Sequence, residues 1–399
     1  RMVMALLVSQ MVFLAFLHAD EIRHPGQRPQ PLGAHALVGG RVVVKPGTVL
    51  ENSTILIRAG RIEAVQNAQA KLPADARIWS MKGKTIYAGL IDPYLSLTEK
   101  AKPIANRWTQ PIDARAGVSF TGVPTTKTDM GTKGPGYEIA EVHPQHRVAT
   151  EFSPDAKAVA DLRALGFTAA NFIPTEGIYR GTSTLALLGE GNPNGLILKP
   201  NTLQHLAFST AKNYPKSLMG VIAVVRQTVF DARHYFAMQE WAAKNPNGQR
   251  PEYNPALEAL RPVLARKQSI VIETGSVLML NRAKVLAAEL KFQPILVATG
   301  QEWRRADLVK KIPFPFIVPV VFPGKPDLPE EDDWEQISLD QLRAWDWAPE
   351  IPALLRSHKR SISLTTHGLA DRKVFRKNIR QAIERGLKET DALAALTTE

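Results

Sequence analysis

The chain has 399 residues, of which 44% are hydrophobic and 22% charged. That balance excludes global disorder and a multi-span membrane protein, and the length implies a large domain plus a smaller one. It contains no cysteine, which excludes a disulfide framework, a thiolate zinc site and a cysteine nucleophile. The net charge of +12 is scattered. Its densest stretches, around Arg304-Arg305, Arg356 to Arg360 and Arg372 to Arg380, are interrupted by Glu330-Glu331-Asp332-Asp333. Without aromatic interleaving this reads as a solvated surface, and no nucleic-acid partner is expected.

Residues 4–19 form an apolar run with Arg1 before it and Asp20-Glu21 after it. The run is shorter than the roughly 20 residues a spanning helix needs and is broken by Ser9-Gln10. A signal peptide over residues 1–19 is therefore expected. It implies an exported protein, periplasmic or extracellular, with no stable membrane insertion once the signal is removed. A Pro-rich linker follows within residues 20–35.

Residues 36–86 read as a small sheet. The segments 36–38 and 41–44 flank Gly39-Gly40, and 54–58 and 61–65 flank Ala59-Gly60, so two hairpins are expected. From residue 87 onward the texture alternates between strands and helices. A helix over 155–165 precedes a strand over 168–173. A strand over 221–225 precedes a helix over 232–243. Asn254-Pro255 supplies an N-cap with proline at the first helical position, opening a helix to about Lys267. Short buried strands are expected at 269–273, 294–298, 316–320 and 361–365. A final helix over 372–387 puts Phe375, Ile379, Ile383 and Leu387 on one stripe.

Repeated βα units over about 300 residues predict a parallel sheet, and the absence of a glycine-rich phosphate loop favours a closed eight-stranded βα barrel over a nucleotide-binding sheet. The fold class is thus α/β, a TIM-like barrel over residues 87–399 with a small N-terminal β-sandwich piece over 36–86. Residues 100–137, rich in Gly, Pro and Thr, read as a long insertion over one mouth of the barrel.

Lys84-Thr85-Ile86-Tyr87-Ala88-Gly89-Leu90-Ile91-Asp92 resembles the junction that opens the barrel in amidohydrolases. Ala59-Gly60-Arg61-Ile62-Glu63-Ala64-Val65 resembles that family's N-terminal sandwich piece. Leu364-Thr365-Thr366-His367-Gly368-Leu369 resembles its last barrel strand, and Arg385-Gly386-Leu387 through Ala395-Leu396-Thr397-Thr398 the helix and signature that follow. The resemblance covers residues 36–398 and is nearest to exported imidazolonepropionase-like members. It implies hydrolysis of amide or cyclic amide C–N bonds. It also implies sandwich strands after the last helix, so with the sequence ending at Glu399 an incomplete sandwich is expected.

The same resemblance implies metal ligands that these residues do not supply. Two histidines on the first strand would correspond to Tyr94 and Ser96, and those on the fifth and sixth strands fall at Glu273 and Thr299. The last-strand aspartate corresponds to His367. Tyr and Ser would each have to lose a high-pKa proton to compete with imidazole for zinc. No metal and no cofactor is expected, with zinc conceivable only in a non-standard site drawing on His143, His146, His367 and Glu273. The primary expectation is a non-catalytic pseudoenzyme whose pocket, lined by Tyr94, Ser96, Glu176, Arg180, Thr299 and Gln301, takes a small polar or peptide-like ligand. The alternative is an active hydrolase rebuilt around His367 as base or ligand with Glu273 as its partner. Glu176 and Arg180 could equally form a local ion pair, Glu273 with Glu176 could form a carboxylate pair, and a scaffold role beside an active relative is a third possibility.

Overall fold

A computed structural model describes residues 33–96, 123–124, 139–210, 214–326 and 337–399. The expected signal peptide, most of the linker and, apart from 123–124, the insertion at 100–137 lie outside the described residues. The chain divides into two compact units: the residues through Val44 with Thr48–Tyr87, and Lys45–Gly47 with Ala88–Glu399. Among the described residues no helix is long and apolar enough to cross a membrane.

The small unit is a five-stranded sheet of β1 (Ala34–Lys45), β2 (Thr48–Arg58), β3 (Arg61–Asn67), β4 (Ala76–Ser80) and β5 (Thr85–Ile86), in the order β3-β2-β1-β4 with β5 also on β1. The Ala59-Gly60 hairpin forms as expected. Both residues have positive φ, +48° and +74°, as a two-residue turn matched to strand twist requires. The Gly39-Gly40 hairpin does not form. β1 runs straight through it, pairing with β4 over Ala34–Val38 and with β5 at Arg41 and Val42. The glycines mark a change of partner: Gly39 takes φ +75°, and a Cβ on Gly40 would lie 3.0 Å from that of Met81. Two further strands of the same sheet compete for the edges that a local hairpin would have used.

The large unit holds β6 (Leu90–Ser96), β7 (Val123–Pro124), β8 (Phe167–Ile173), β9 (Tyr179–Thr182), β10 (Thr184–Leu187), β11 (Ile197–Lys199), β12 (Gln204–Ala207), β13 (Ser209–Thr210), β14 (Ile270–Glu273), β15 (Pro294–Val297), β16 (Phe316–Pro319) and β17 (Ile362–Thr365). The strands expected at 168–173, 269–273, 294–298, 316–320 and 361–365 are present within a residue or two. So is the helix Ala156–Leu165, where Asp155 accepts from Ala158 N at 2.8 Å. The strand expected at 221–225 is instead part of one long helix, Leu218–Lys244, capped by Ser217. Its buried residues Val221, Val224, Val225, Thr228, Val229 and Ala232 follow helical spacing, and burial of that stripe outweighs the β preference of the valines. The helix opening at Asn254-Pro255 splits into Pro255–Ala259 and Arg261–Leu264, because Pro262 cannot donate to the preceding turn. The helix expected over 372–387 is a 3₁₀ turn, Arg372–Val374, leading into a helix over Phe375–Glu384, with a further helix, Glu389–Thr397, after it; Phe375 and, beyond the helix end, Leu387 are buried, and Ile379 and Ile383 pack against the core.

Among the described residues the backbone ladders do not close the strands into a barrel. The strands make a mixed α/β arrangement of one four-stranded sheet, β11-β10-β8-β6, one six-stranded sheet, β17-β16-β15-β14-β12-β9, and a two-stranded pair, β13-β7. β12, β14, β15, β16 and β17 are mutually parallel, as are β6 and β8. β9 and β10, separated only by Ser183, run antiparallel to β12 and β8, so one stretch of chain serves both sheets. Among the described residues no backbone ladder joins β6 to β17. Pro93 removes a donor from β6, the pairing of β6 with β8 is irregular between Asp92 and Leu95, and a side chain takes the place of the ladder.

Alternation sorts the strand residues onto two faces. Leu95, Phe172, Leu206, Ile272, Leu296, Phe316 and Leu364 join the large core with the helices. Tyr94, Ile173, Val271, Val297 and Ile317 form a separate buried cluster with Leu203 and Ile295. That second cluster is the floor of the site.

Candidate functional site

β6 carries both anchors of the site. Asp92, fully buried, accepts from Tyr94 N at 3.0 Å, Thr365 Oγ1 at 2.6 Å, and Thr366 N and Oγ1 at 2.9 and 2.6 Å. Thr365 Oγ1 also contacts the Tyr94 carbonyl at 3.0 Å. One carboxylate thus stitches β6 to the end of β17, and the residue after Thr366 is His367.

Tyr94, two residues on, points into the second cluster. Its hydroxyl donates to Glu273 Oε2 at 2.8 Å. The same oxygen accepts from Arg180 Nη1 at 2.7 Å, in an ion pair with both side chains almost wholly buried. Burial works against the Arg180 charge, but the Glu273 carboxylate and Tyr94 outweigh it and leave the guanidinium pKa raised. Arg180 is held from behind: its Nε donates to the Gly177 carbonyl at 3.3 Å, and its own carbonyl lies 3.1 Å from His146 Nδ1. Next to it, Gly181 has φ +101°, and a Cβ there would meet the His146 carbonyl at 2.2 Å. Only glycine lets the two backbones come this close.

Two histidines flank the Tyr94 ring. His367 meets it edge-on at 5.0 Å and His205, on β12, lies tilted at 5.8 Å. His205 is buried, and neither ring nitrogen has a hydrogen-bond partner. Burial, reinforced by the Arg180 charge and partly offset by Glu273, pushes its pKa down to about 3. The imidazole is therefore neutral.

Of the residues singled out in the sequence, Tyr94, Arg180 and Glu273 come together, with His367 against the tyrosine. The local ion pair between Arg180 and Glu176 gives way to the long-range one with Glu273, while Glu176 is half-buried in the loop after β8. Thr299 turns elsewhere: its N and Oγ1 bond Glu302 Oε1 at 2.6 and 2.9 Å, and Gln301 N donates to Thr299 Oγ1 at 3.2 Å. Glu302 is fully buried, and burial raises its pKa despite those bonds. Ser96 is buried at the end of β6. His146 pairs with Glu151 at 3.4 Å, and His143 donates its backbone N–H to the Tyr179 carbonyl at 2.7 Å. Among the described residues no three His, Asp or Glu side chains converge as a metal-binding group.

At Tyr94 and Glu273, two of the positions where the resemblance implies metal ligands, the polar groups bond to each other and to Arg180. Tyr94 presents a hydroxyl already given to Glu273, and the carboxylate is neutralised by a guanidinium; a dication placed there would face that buried positive charge. His205 and Asp92 were not recognised from the sequence as members of the site, nor Glu302 as the partner of Thr299. The one available signal for His205 was its alternation with Leu206 in a buried strand. Beyond β16 and β17, at the same end of the strands, a groove of about 600 Å³ is lined by Phe322, Leu369, Val374, Gln341, Lys377 and Asn378 among others.

No family model matches the chain, and no curated protein sequence matches it. Among solved structures, an amidohydrolase from Thermotoga maritima MSB8 is similar over 91% of this chain and 86% of its own, at 17% identity and a TM-score of 0.66. A Xaa-Pro dipeptidase with methionine bound in its active site is 10% identical over 91% and 87% of the two chains, with a TM-score of 0.45. A dihydroorotase is 14% identical over 92% and 81%, with a TM-score of 0.39. The first likeness shows a shared fold.

Proposed function

We propose that this protein is an amidohydrolase-superfamily chain that has given up metal-dependent hydrolysis of C–N bonds and keeps a ligand-binding role at the carboxyl ends of its strands. The observation that carries the reading is the buried Arg180–Glu273–Tyr94 group, in which two of the candidate ligand positions, Tyr94 and Glu273, bond to each other and to a guanidinium. The shared fold and the ordered motifs at both ends of the chain support the superfamily. On this reading the two sheets derive from an eight-position ring, with β9 and β10 together filling one place and Asp92 bridging the seam between β6 and β17. The groove suits a ligand with an apolar body and a polar group that Gln341, Lys377 or Asn378 can meet, such as a small peptide-like molecule. The apolar run at the amino end supports export.

Metal analysis of purified full-length protein tests the proposal. The expected result is no stoichiometric zinc and no amide hydrolysis; stoichiometric zinc with hydrolysis abolished by chelation overturns it.

A second reading keeps activity, with His367 as base and Glu273 as its partner. It draws on the edge-on contact of His367 with Tyr94, which in turn holds Glu273. Under it, His367→Ala abolishes turnover of an amide substrate without lowering the melting temperature; retained turnover rejects it.

A further inference from the structure

We propose that the loops at the amino ends of the parallel strands β14 to β17 form a basic face that docks on an anionic lipid surface, leaving the groove at the carboxyl ends of the strands turned away from it. The proposal does not rest on the reading of function above, and either can fail alone.

Along the sequence the positive charge is scattered, and folding gathers part of it. Each of these four strands is entered from a helix through a short loop, and none of the four loops contains Asp or Glu. They carry Arg266 and Lys267 before β14, Lys291 before β15, Lys310 and Lys311 before β16, and Lys359 and Arg360 before β17. All but Arg360 are exposed. The strands are consecutive parallel neighbours, with Ile270 opposite Pro294, Leu296 opposite Phe316 and Phe316 opposite Ile362, so their starts lie nearly level. At roughly 4.8 Å between strands the four loops span about 15 Å, and neighbouring charges stand within the screening length of about 8 Å at physiological salt. Two of the loops touch: Arg360 Nη2 donates to the Lys310 carbonyl at 3.1 Å. His358, beside them, has its pKa lowered first by burial and then by the Lys310 and Arg360 charges. Carboxylates on the flanking helices are already engaged, Glu289 by Arg226 and both Asp391 and Glu399 by Arg356.

The backbone provides an independent observation. Arg266, Lys291 and Lys359 follow the helices that lead to β14, β15 and β17, and each has positive φ, +57°, +60° and +60°. A left-handed residue that closes a helix is ordinarily glycine, because a Cβ there is strained. This chain uses glycine in that role at Gly166 and Gly386, both with φ +103°, yet keeps basic side chains at these three positions. A cation near a helix C-terminus also suits the helix dipole, but residues of the last turn meet that need without strain. Strain retained at three loops of one face points to a use for the side chains.

A level row of charges fits a planar array of lipid phosphates. Nucleic acid is a poorer match, since Phe292 is buried and Phe314 packs against the core, so these loops offer no exposed ring on which bases can stack.

The experiment mixes full-length protein with vesicles of phosphatidylcholine alone or of equal parts phosphatidylcholine and phosphatidylglycerol, and reads bound protein by flotation. Wild type is expected to prefer the anionic vesicles and to leave them as salt rises from about 50 to about 500 mM. A basic residue held at an anionic surface contributes about fivefold to partitioning. Lys291→Gln/Lys310→Gln/Lys311→Gln/Lys359→Gln should therefore weaken that partitioning at least about a hundredfold. The control, Lys157→Gln/Lys216→Gln/Arg282→Gln/Lys373→Gln, loses the same charge from exposed positions in or before the first halves of other helices, and should stay within about threefold of wild type. The apolar run at residues 4–19 is common to every variant and cannot produce the difference between them. Arg266→Gly/Lys291→Gly/Lys359→Gly should bind more weakly yet melt no lower than wild type. Equal losses in the two fourfold variants would make net charge the cause and overturn the proposal. So would equal binding to both vesicle types, binding competed away by duplex DNA at equal phosphate concentration, or a glycine variant that melts lower and binds as before.

Discussion

Asp92 and Glu273 are both buried carboxylates at strand ends, and the protein holds them in opposite ways. Asp92 is surrounded by neutral donors, two threonine hydroxyls and two backbone amides contributed by β6 and the end of β17. Glu273 is met by a full positive charge from Arg180 and a phenol from Tyr94. The first arrangement spreads one charge over many dipoles and does the work of a missing backbone ladder. Among the described residues the second sets the carboxylate against an ion pair, whose contribution depends on both partners being present. A seam can lose one donor and survive, whereas an ion pair that loses one member leaves a buried charge behind.

The comparison can be broken most sharply at Glu273. Glu273→Leu strands the Arg180 guanidinium, and a loss of roughly 3–5 kcal/mol in unfolding free energy is expected from denaturant melts; a near-neutral outcome would mean that water reaches Arg180. Asp92→Asn keeps the shape of the seam but turns one acceptor oxygen into a donor facing other donors. It should cost about 2–3 kcal/mol, and hydrogen exchange at β6 and β17 should rise together. Tyr94→Phe deletes one hydroxyl to a carboxylate that keeps Arg180, so about 1.5 kcal/mol is expected, measured by the shift in denaturant midpoint at constant slope.

A pH series sharpens the picture at His205. Its folded pKa, about 3, lies below the ordinary value of 6.5, so below pH 6.5 the unfolded chain binds a proton that the folded chain refuses. Stability from this group is complete above pH 6.5 and is lost as the pH falls toward 3, at a slope of at most about 1.4 kcal/mol per pH unit. His205→Phe should flatten that part of the profile. The smallest effect is expected at Glu302. Its raised pKa means that the folded chain holds a proton more tightly than the unfolded one, so stability is lost as the pH rises above the ordinary carboxyl value of 4.5. Glu302→Gln cannot ionise and should reduce that loss, with an overall change of at most about 1 kcal/mol in melts at pH 8.

The sequence carried strand and helix boundaries well where periodicity, turns and caps agreed, as at Ala59-Gly60 in the small unit and at Asp155 and the short strands from β14 to β17 in the large one. It misled at Val221 to Val225, where a β-branched run also fits a helix, and at Gly39-Gly40, where the glycine pair marks a change of partner within one strand. At the site, Tyr94, Arg180 and Glu273 were each named, but the bond joining them was not. Arg180 and Glu273 are 93 positions apart, and no local pattern encodes a contact over that distance. His205 escaped notice because an unpartnered imidazole is defined only by what surrounds it.

The sequence by itself determined which residue types stand where the resemblance implies metal ligands, and so that imidazole pairs are absent from the first strand; residue identity settles donor chemistry before any folding occurs. Only the tertiary structure decided that two of those residues, Tyr94 and Glu273, are bonded to each other and to the Arg180 guanidinium, and that Asp92 holds the seam between β6 and β17. The physical reason is that hydrogen bonds and ion pairs depend on distance and burial, and both are set by strands that meet across most of the chain.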